Sequence, residues 1–233
     1  QEVAAAKAAP TFAIETPHGL FDLVSREKMD AMTRQPFTQY GLSEFVDAVM
    51  YKMPKDAWCV MAITLHDLYE TAEDEFCMGR AWGGSHAGVV GFHRYKSHML
   101  PPMQHEIGLS PQELLTARAV KTLIHEIGHC FLFDHCTAYE CLMNATYSLE
   151  QDLRIPLTLC PIDLQKLHHA LRHDAPLPRL RALAKVYRRY RNLFARECKH
   201  MCAAVAALEA AAGAAVCDDG MKFWSSIVMT TIS

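Results

Sequence analysis

The chain has 233 residues, 51% of them hydrophobic and 21% charged, and a formal net charge of −3. That is enough chain for one well-buried domain with a helical appendage, and too apolar for a disordered protein. The slightly acidic balance argues against a general nucleic-acid binder. No uninterrupted apolar run approaches the ~20 residues of a membrane-spanning helix, since the longest candidate, Ala203 to Val216, is broken by Glu209.

Residues 1–17, alanine-rich with Pro10 and Pro17, read as a loose N-terminal segment. Leu42 to Met53 sets Phe45, Val46, Val49 and Met50 at helical spacing, and Pro54 ends the segment. Trp58 to Leu65 is a compact apolar run that predicts a buried strand. Phe76–Trp82 and Ala87–Tyr95 are two further strand candidates around the turn Gly83-Gly84-Ser85. Ser110-Pro111-Gln112-Glu113 is a helix start, with serine as N-cap, proline at the first helical position and glutamate closing a capping box.

That helix is predicted to run through Leu114, Leu115, Val120, Leu123 and Ile124 and to carry His125 and His129 near its end. After Pro161, Ile162, Leu164, Leu167 and Leu171 form a second apolar helical stripe. A longer helix follows from about Arg179, with Leu180, Leu183, Tyr187, Tyr190 and Phe194 along one side. Arg181, Lys185, Arg188, Arg189, Arg191 and Arg196 line the other, where a solvated face outweighs a nucleic-acid contact. Strands followed by a motif-bearing helix predict an α+β domain over 18–175, with a helical C-terminal extension over 176–233.

The chemistry concentrates in His125-Glu126-Ile127-Gly128-His129 and the downstream His135-Cys136. Residues four apart on a helix lie on one face, so His125 and His129 can share a metal ion, with Glu126 beside them within reach of a metal-bound water. A third histidine leaves the fourth tetrahedral position of Zn2+ open, as hydrolytic chemistry requires. On a continued helix His135 would lie about 15 Å beyond His125 along the axis. The chain must therefore turn sharply between Cys130 and Asp134. Of the nine cysteines, Cys59, Cys77, Cys198, Cys202 and Cys217 are dispersed and read as free thiols, while the rest crowd around this motif, which favours metal ligation over a disulfide framework and points to a reducing, cytoplasmic setting.

The full pattern His125-Glu126-x-x-His129-x5-His135-Cys136-x4-Cys141-x-Met143, followed by Cys160-Pro161, resembles the archaemetzincins, metzincin-type zinc metallopeptidases. The resemblance extends upstream through Asp67-Leu68-Tyr69 and covers about residues 55–172. It implies a metzincin-like fold with a mixed sheet, an active-site helix and a helical C-terminal region. It also implies a catalytic zinc on His125, His129 and His135, Glu126 as general base and Met143 in a methionine turn below the histidines. A second, structural zinc is implied on Cys136, Cys141 and Cys160.

The implied partner is a peptide or protein substrate, with no membrane and no nucleic acid. Ala87–Tyr95 would be the sheet edge on which an extended peptide adds, and Tyr147 a candidate oxyanion contact. Two positions depart from the family pattern. Leu132 replaces the glycine that makes the turn, at a cost of roughly 1–2 kcal/mol in the left-handed region. Asp163 replaces the last cysteine; a carboxylate can serve as a zinc ligand, and Cys130, His168 and His169 are the alternatives. The competing function is a catalytically impaired zinc scaffold that acts by binding a partner.

Overall fold

The computed structural model describes residues 12–16, 19–95, 108–172, 176–212 and 227–231, so that most of the expected loose segment, part of the Ala203–Val216 run and Cys217 lie outside the described residues. The chain falls into two compact units, one within residues 1–99 together with 226–233 and the other within 100–225. That division lies inside the 18–175 span, and the helices after residue 175 group with the motif helix.

The first unit carries the strands. β1 (Phe12–Thr16) lies within the segment read as loose and forms an antiparallel hairpin with β2 (Gly19–Leu23). β3 (Ser25–Met29) pairs antiparallel with β4 (Pro36–Gly41). α1 (Leu42–Tyr51) follows directly and buries Leu42, Phe45, Val46 and Val49, the face its spacing predicts. β5 (Cys59–Thr64) is the buried strand read from the apolar run, and β6 (Asp67–Tyr69) then pairs parallel with β4.

β7 (Gly79–Trp82) and β8 (Ala87–Gly91) form the hairpin expected around Gly83-Gly84-Ser85. β5 also pairs parallel with β8 on one side and with β9 (Ile227–Thr231) on the other, giving a mixed sheet in the order β7-β8-β5-β9. The core of this unit joins α1 to Val60 and Ala62 of β5 and Ala87 and Val89 of β8.

Two expectations change here. β8 is bonded on both sides, to β5 and β7, so it is not the free edge on which a peptide could add. The segment also leaves the sheet at Gly91 and closes in a 3-10 turn, His93–Tyr95, instead of continuing as strand to Tyr95. β9 adds a strand within a span read as helical, because the parallel partner it finds on β5 is remote in sequence.

A polar network locks β3, β4 and β6 together. Gln39, fully buried, donates from Nε2 to Asp67 Oδ2 at 2.6 Å and accepts from Arg26 Nε at 2.8 Å. Arg94 reaches the same carboxylate with two nitrogens, Nη2 to Oδ2 at 2.7 Å and Nε to Oδ1 at 3.0 Å. A buried carboxylate held by a fork of donors is costly to break, because its partners stay buried.

The second unit is helical. α2 (Pro111–Cys130) begins with the predicted capping box: Ser110 Oγ accepts from the Glu113 N–H at 3.3 Å, and Glu113 Oε2 accepts from the Ser110 N–H at 3.0 Å. α3 (Leu149–Arg154) and α4 (Pro161–Ala170) follow, then α5 (Pro176–Arg189) and α6 (Ala195–Ala212). α5 and α6 run antiparallel, with Arg181 Nε bonded to Glu209 Oε1 at 2.8 Å.

Leu180, Tyr187, Phe194, Met201 and Val205 share one core with Leu142 and Leu157, against which Ala117 and Val120 of α2 pack. The expected α5 stripe breaks after Arg189: Tyr190 is exposed, and Phe194 joins the core from the turn before α6. In α4 the buried face is Asp163 and Leu167, while Ile162, read as part of the stripe, is 48% exposed. Arg118, 1% exposed in the middle of α2, holds α3 through Asp152 Oδ2 at 2.9 Å and through the Leu149 carbonyl.

The Asp67 network yields a prediction. Asp67→Ala should lower the unfolding free energy by about 3 kcal/mol in urea denaturation. A loss below about 1 kcal/mol would mean that Arg94 and Gln39 find water instead.

Candidate metal centres

α2 ends in a backbone motif that decides where the third histidine goes. The Leu132 N–H bonds to the His129 carbonyl at 2.9 Å and the Phe133 N–H to the Gly128 carbonyl at 3.3 Å, the paired bonds of a Schellman cap. Leu132 occupies the left-handed position of that cap at φ +62°, where glycine is the unstrained residue, with its side chain 75% exposed. The chain reverses within three residues. It brings the His135 ring to centroid distances of 5.3 Å from His125 and 4.9 Å from His129.

Each helix histidine is oriented by a carbonyl from outside its own helical bonds. His125 Nδ1 stands 2.7 Å from the Leu142 carbonyl oxygen, and His129 Nδ1 2.6 Å from that of Phe133. A carbonyl only accepts, so each Nδ1 carries the proton and each Nε2 keeps a lone pair. The two Nε2 atoms then face one another at 3.1 Å, an arrangement of lone pairs that a cation between them stabilises. Zn–N bonds of about 2.05 Å at tetrahedral angles separate donor nitrogens by roughly 3.3 Å, so the spacing fits such an ion. Burial lowers the pKa of His125 to about 4, which leaves its ring neutral and ready to ligate near pH 7. Glu126, on the same helix, is buried.

Met143 lies under this cluster, fully buried. A Cβ on Gly128 would overlap the Met143 sulfur, so the helix glycine makes room for it. Phe133, Cys141, Cys160 and Leu167 pack around the same methionine.

A second group gathers Cys136, Cys141, Cys160 and Asp163, with donor atoms within 4.8 Å of one another, as are those of the three histidines. Among the described residues these are the two groups of three or more such donors. For a tetrahedral zinc with Zn–S of about 2.3 Å and Zn–O of about 2.0 Å, S···S is about 3.8 Å and S···O about 3.5 Å. Cys136 Sγ lies 3.9 Å from Cys160 Sγ, and Asp163 Oδ2 lies 3.3 Å from Cys141 Sγ and 3.5 Å from Cys160 Sγ. Cys130, His168 and His169 are not part of this group.

Backbone N–H groups point at the sulfurs, from Cys160 and Met143 to Cys141 Sγ at 3.2 and 3.4 Å and from Asp163 to Cys160 Sγ at 3.4 Å. Burial pushes the Cys141 thiol up to about 12, and a bound cation would reverse that. For Cys136 burial also works upward, but hydrogen bonds from the backbone at Ala138 and Tyr139 outweigh it and hold the thiol below its usual value. Burial likewise opposes ionisation of Asp163. The Lys166 hydrogen bond, Nζ to Oδ1 at 2.8 Å, the Lys166 charge and the hydrogen bonds from Cys141 and Cys160 together outweigh it and keep the carboxyl below the ordinary range, with Oδ2 turned to the thiols.

The sequence reading missed three contributors. Gly128 in a helix interior costs about 1 kcal/mol against alanine, a signal that a close contact needs the space. Asn144, whose side chain bonds the backbone of Cys136, Tyr139 and Cys141, and the Leu142 carbonyl carry no such signal, because their role depends on how the 136–144 loop closes. Tyr147, weighed as an oxyanion contact, is 86% exposed.

Leu132→Gly should raise stability by about 1 kcal/mol, since the left-handed residue loses its Cβ strain and little packing. A clear loss in thermal denaturation would show that the leucine side chain stabilises the turn.

Residues 92–169 match the sequence profile of Peptidase family M54. The chain is 34% identical to mouse archaemetzincin-2 over 151 residues, which cover 57% of this chain and 42% of that protein. It is 36% identical to human archaemetzincin-2 over 139 residues, covering 52% of this chain and 39% of that one. The chain thus spans about two fifths of the length of these relatives. An archaemetzincin structure from Methanopyrus kandleri aligns at 28% identity over 57% of this chain and 67% of its own, with a TM-score of 0.48. Through the segment that holds both donor groups, this chain is similar to the archaemetzincins, peptidase family M54.

Proposed function

We propose that the chain is a zinc-dependent metallopeptidase that hydrolyses peptide bonds in a peptide or protein substrate. The observation that carries this reading is the pair of Nε2 lone pairs 3.1 Å apart, each aimed by a carbonyl behind its ring, with His135 folded back beside them. The donor set fits Zn2+, with His125, His129 and His135 as ligands and a fourth position left for water or substrate. Held there, the ion would supply a Lewis acid that polarises the scissile carbonyl and acidifies a water.

The chain's own residues do the rest. Glu126 takes the proton of the attacking water as general base and returns it to the leaving amine. Its place one residue after His125 on α2 keeps the carboxylate on the rigid element that presents the ligands. The Leu142 and Phe133 carbonyls hold the first two rings in one tautomer, which strengthens them as ligands.

The second donor group is assigned to a structural zinc on Cys136, Cys141, Cys160 and Asp163. Four protein donors close the coordination shell, so this centre holds the fold and leaves no position for substrate. The competing scaffold reading drew its support from the substitution at Leu132. That residue adopts the left-handed conformation and the histidines converge, which favours the enzyme. Among the described residues no helix is long and apolar enough to cross a membrane.

Metal analysis of the purified chain should give two zinc ions, with one lost in His129→Ala and the other in Cys136→Ser. A single ion insensitive to Cys136 would remove the second centre. Glu126→Ala should lower peptide cleavage by about 100-fold or more with zinc retained. Equal turnover in that variant would sink the assigned base.

A further inference from the structure

The two donor groups alternate along one short loop. His135 of the histidine centre is followed directly by Cys136 of the cysteine centre. Farther on, Cys141 offers its sulfur to the cysteine centre, while the next carbonyl, Leu142, orients His125 at 2.7 Å. Met143 comes next: its N–H points at Cys141 Sγ at 3.4 Å, its carbonyl accepts from the Cys136 N–H at 2.7 Å, and its sulfur fills the space below Gly128. The Leu142 carbonyl and the Met143 N–H belong to one planar peptide unit, so a displacement of the Cys141 sulfur, which that N–H faces, turns the carbonyl that orients His125.

One side chain closes this loop without offering a donor to either centre. Asn144 Oδ1 accepts from the Cys141 N–H at 2.8 Å, and its Nδ2 donates to the Cys136 carbonyl at 2.7 Å and to the Tyr139 carbonyl at 2.9 Å. It thereby ties the residue after His135 to the residue before Leu142.

We propose that the cysteine–aspartate centre positions the histidine centre, so that filling either one raises the metal affinity of the other, with Asn144 as the positioning residue that couples them. The proposal rests on the two-zinc reading above. An ion among the cysteines fixes both ends of the loop by ligand bonds. Asn144 and the Cys136–Met143 backbone bond join these ends, so that loss of the ion is carried both to His135 and to the Leu142 carbonyl. His135 and the carbonyl behind His125 then lose part of their restraint, and a ligand held less well binds metal more weakly. Coupling of binding free energies is reciprocal, so the histidine centre must act back on the cysteines by the same factor.

The test is a Co2+ titration of the full, metal-stripped chain under reducing conditions. Thiolate-to-cobalt charge transfer reports the cysteine centre, and ligand-field bands report the histidine centre. Cys141→Ser should abolish the charge-transfer band and weaken Co2+ binding at the histidines by about 10- to 100-fold. His129→Ala, which leaves the cysteines intact, should weaken Co2+ binding at the cysteine centre by the same factor. It carries the test alone should Cys141→Ser fail to fold.

In an Asn144→Ala background the effect of either substitution should shrink severalfold, which a merely destabilising change would not produce. Unchanged affinity at the remaining centre in His129→Ala or in folded Cys141→Ser would overturn the coupling while leaving the two-zinc reading intact. A full-sized effect persisting in the Asn144→Ala background would overturn the role of Asn144. Absence of the charge-transfer band in the unaltered chain would overturn the two-zinc reading and the coupling with it.

Discussion

The left-handed residue at the end of α2 is the constraint from which the histidine cluster follows. A helix that continued past Cys130 would carry His135 about 15 Å away from His125. Instead the paired bonds to His129 and Gly128 reverse the chain at Leu132, and the reversal supplies both the third ring and the carbonyl that orients the second. One turn therefore does two things that ligand geometry needs. A leucine in that position is strained, yet its side chain is in solvent, so no core contact opposes the backbone conformation. The strain is of the order of 1–2 kcal/mol, small against the bonds that over-determine the cap.

Below the turn, space is the governing quantity. Gly128 and Met143 are fitted to each other, since a side chain at 128 would meet the methionine sulfur. The methionine in turn packs with Phe133, Cys141, Cys160 and Leu167, so the floor of the histidine cluster is also the wall of the cysteine group. A metal centre whose ligands come from a helix end and a loop needs such backing, because ligand bonds are short and tolerate little drift. Arg118 supports the arrangement from farther up the helix by tying α2 to α3.

Much of this was legible in the chain. The capping box placed the start of α2, and the apolar spacing placed α1, β5, α4 and α5 to within a few residues. The donors His125, His129, His135, Cys136, Cys141, Cys160 and Asp163 could be named from spacing and resemblance, and they fall into two groups. Where the reading failed, non-local pairing was the cause. β8 looked like an edge because nothing in its own residues announces β7 on its other side. Ile162 looked like core because apolar spacing cannot foresee that Asp163, facing three thiols, takes the buried side of α4.

By itself the sequence determined which atoms are available for metal chemistry and on which local elements they start, since helix periodicity and capping act over a few residues. Only the tertiary structure decided that the donors converge: which carbonyl stands behind each imidazole, which carboxylate stands among the thiols, and how Asn144 closes the loop between them. Those outcomes depend on contacts between segments far apart in the chain. Asp163 and Cys141, 22 residues apart and 3.3 Å from each other, belong to that class.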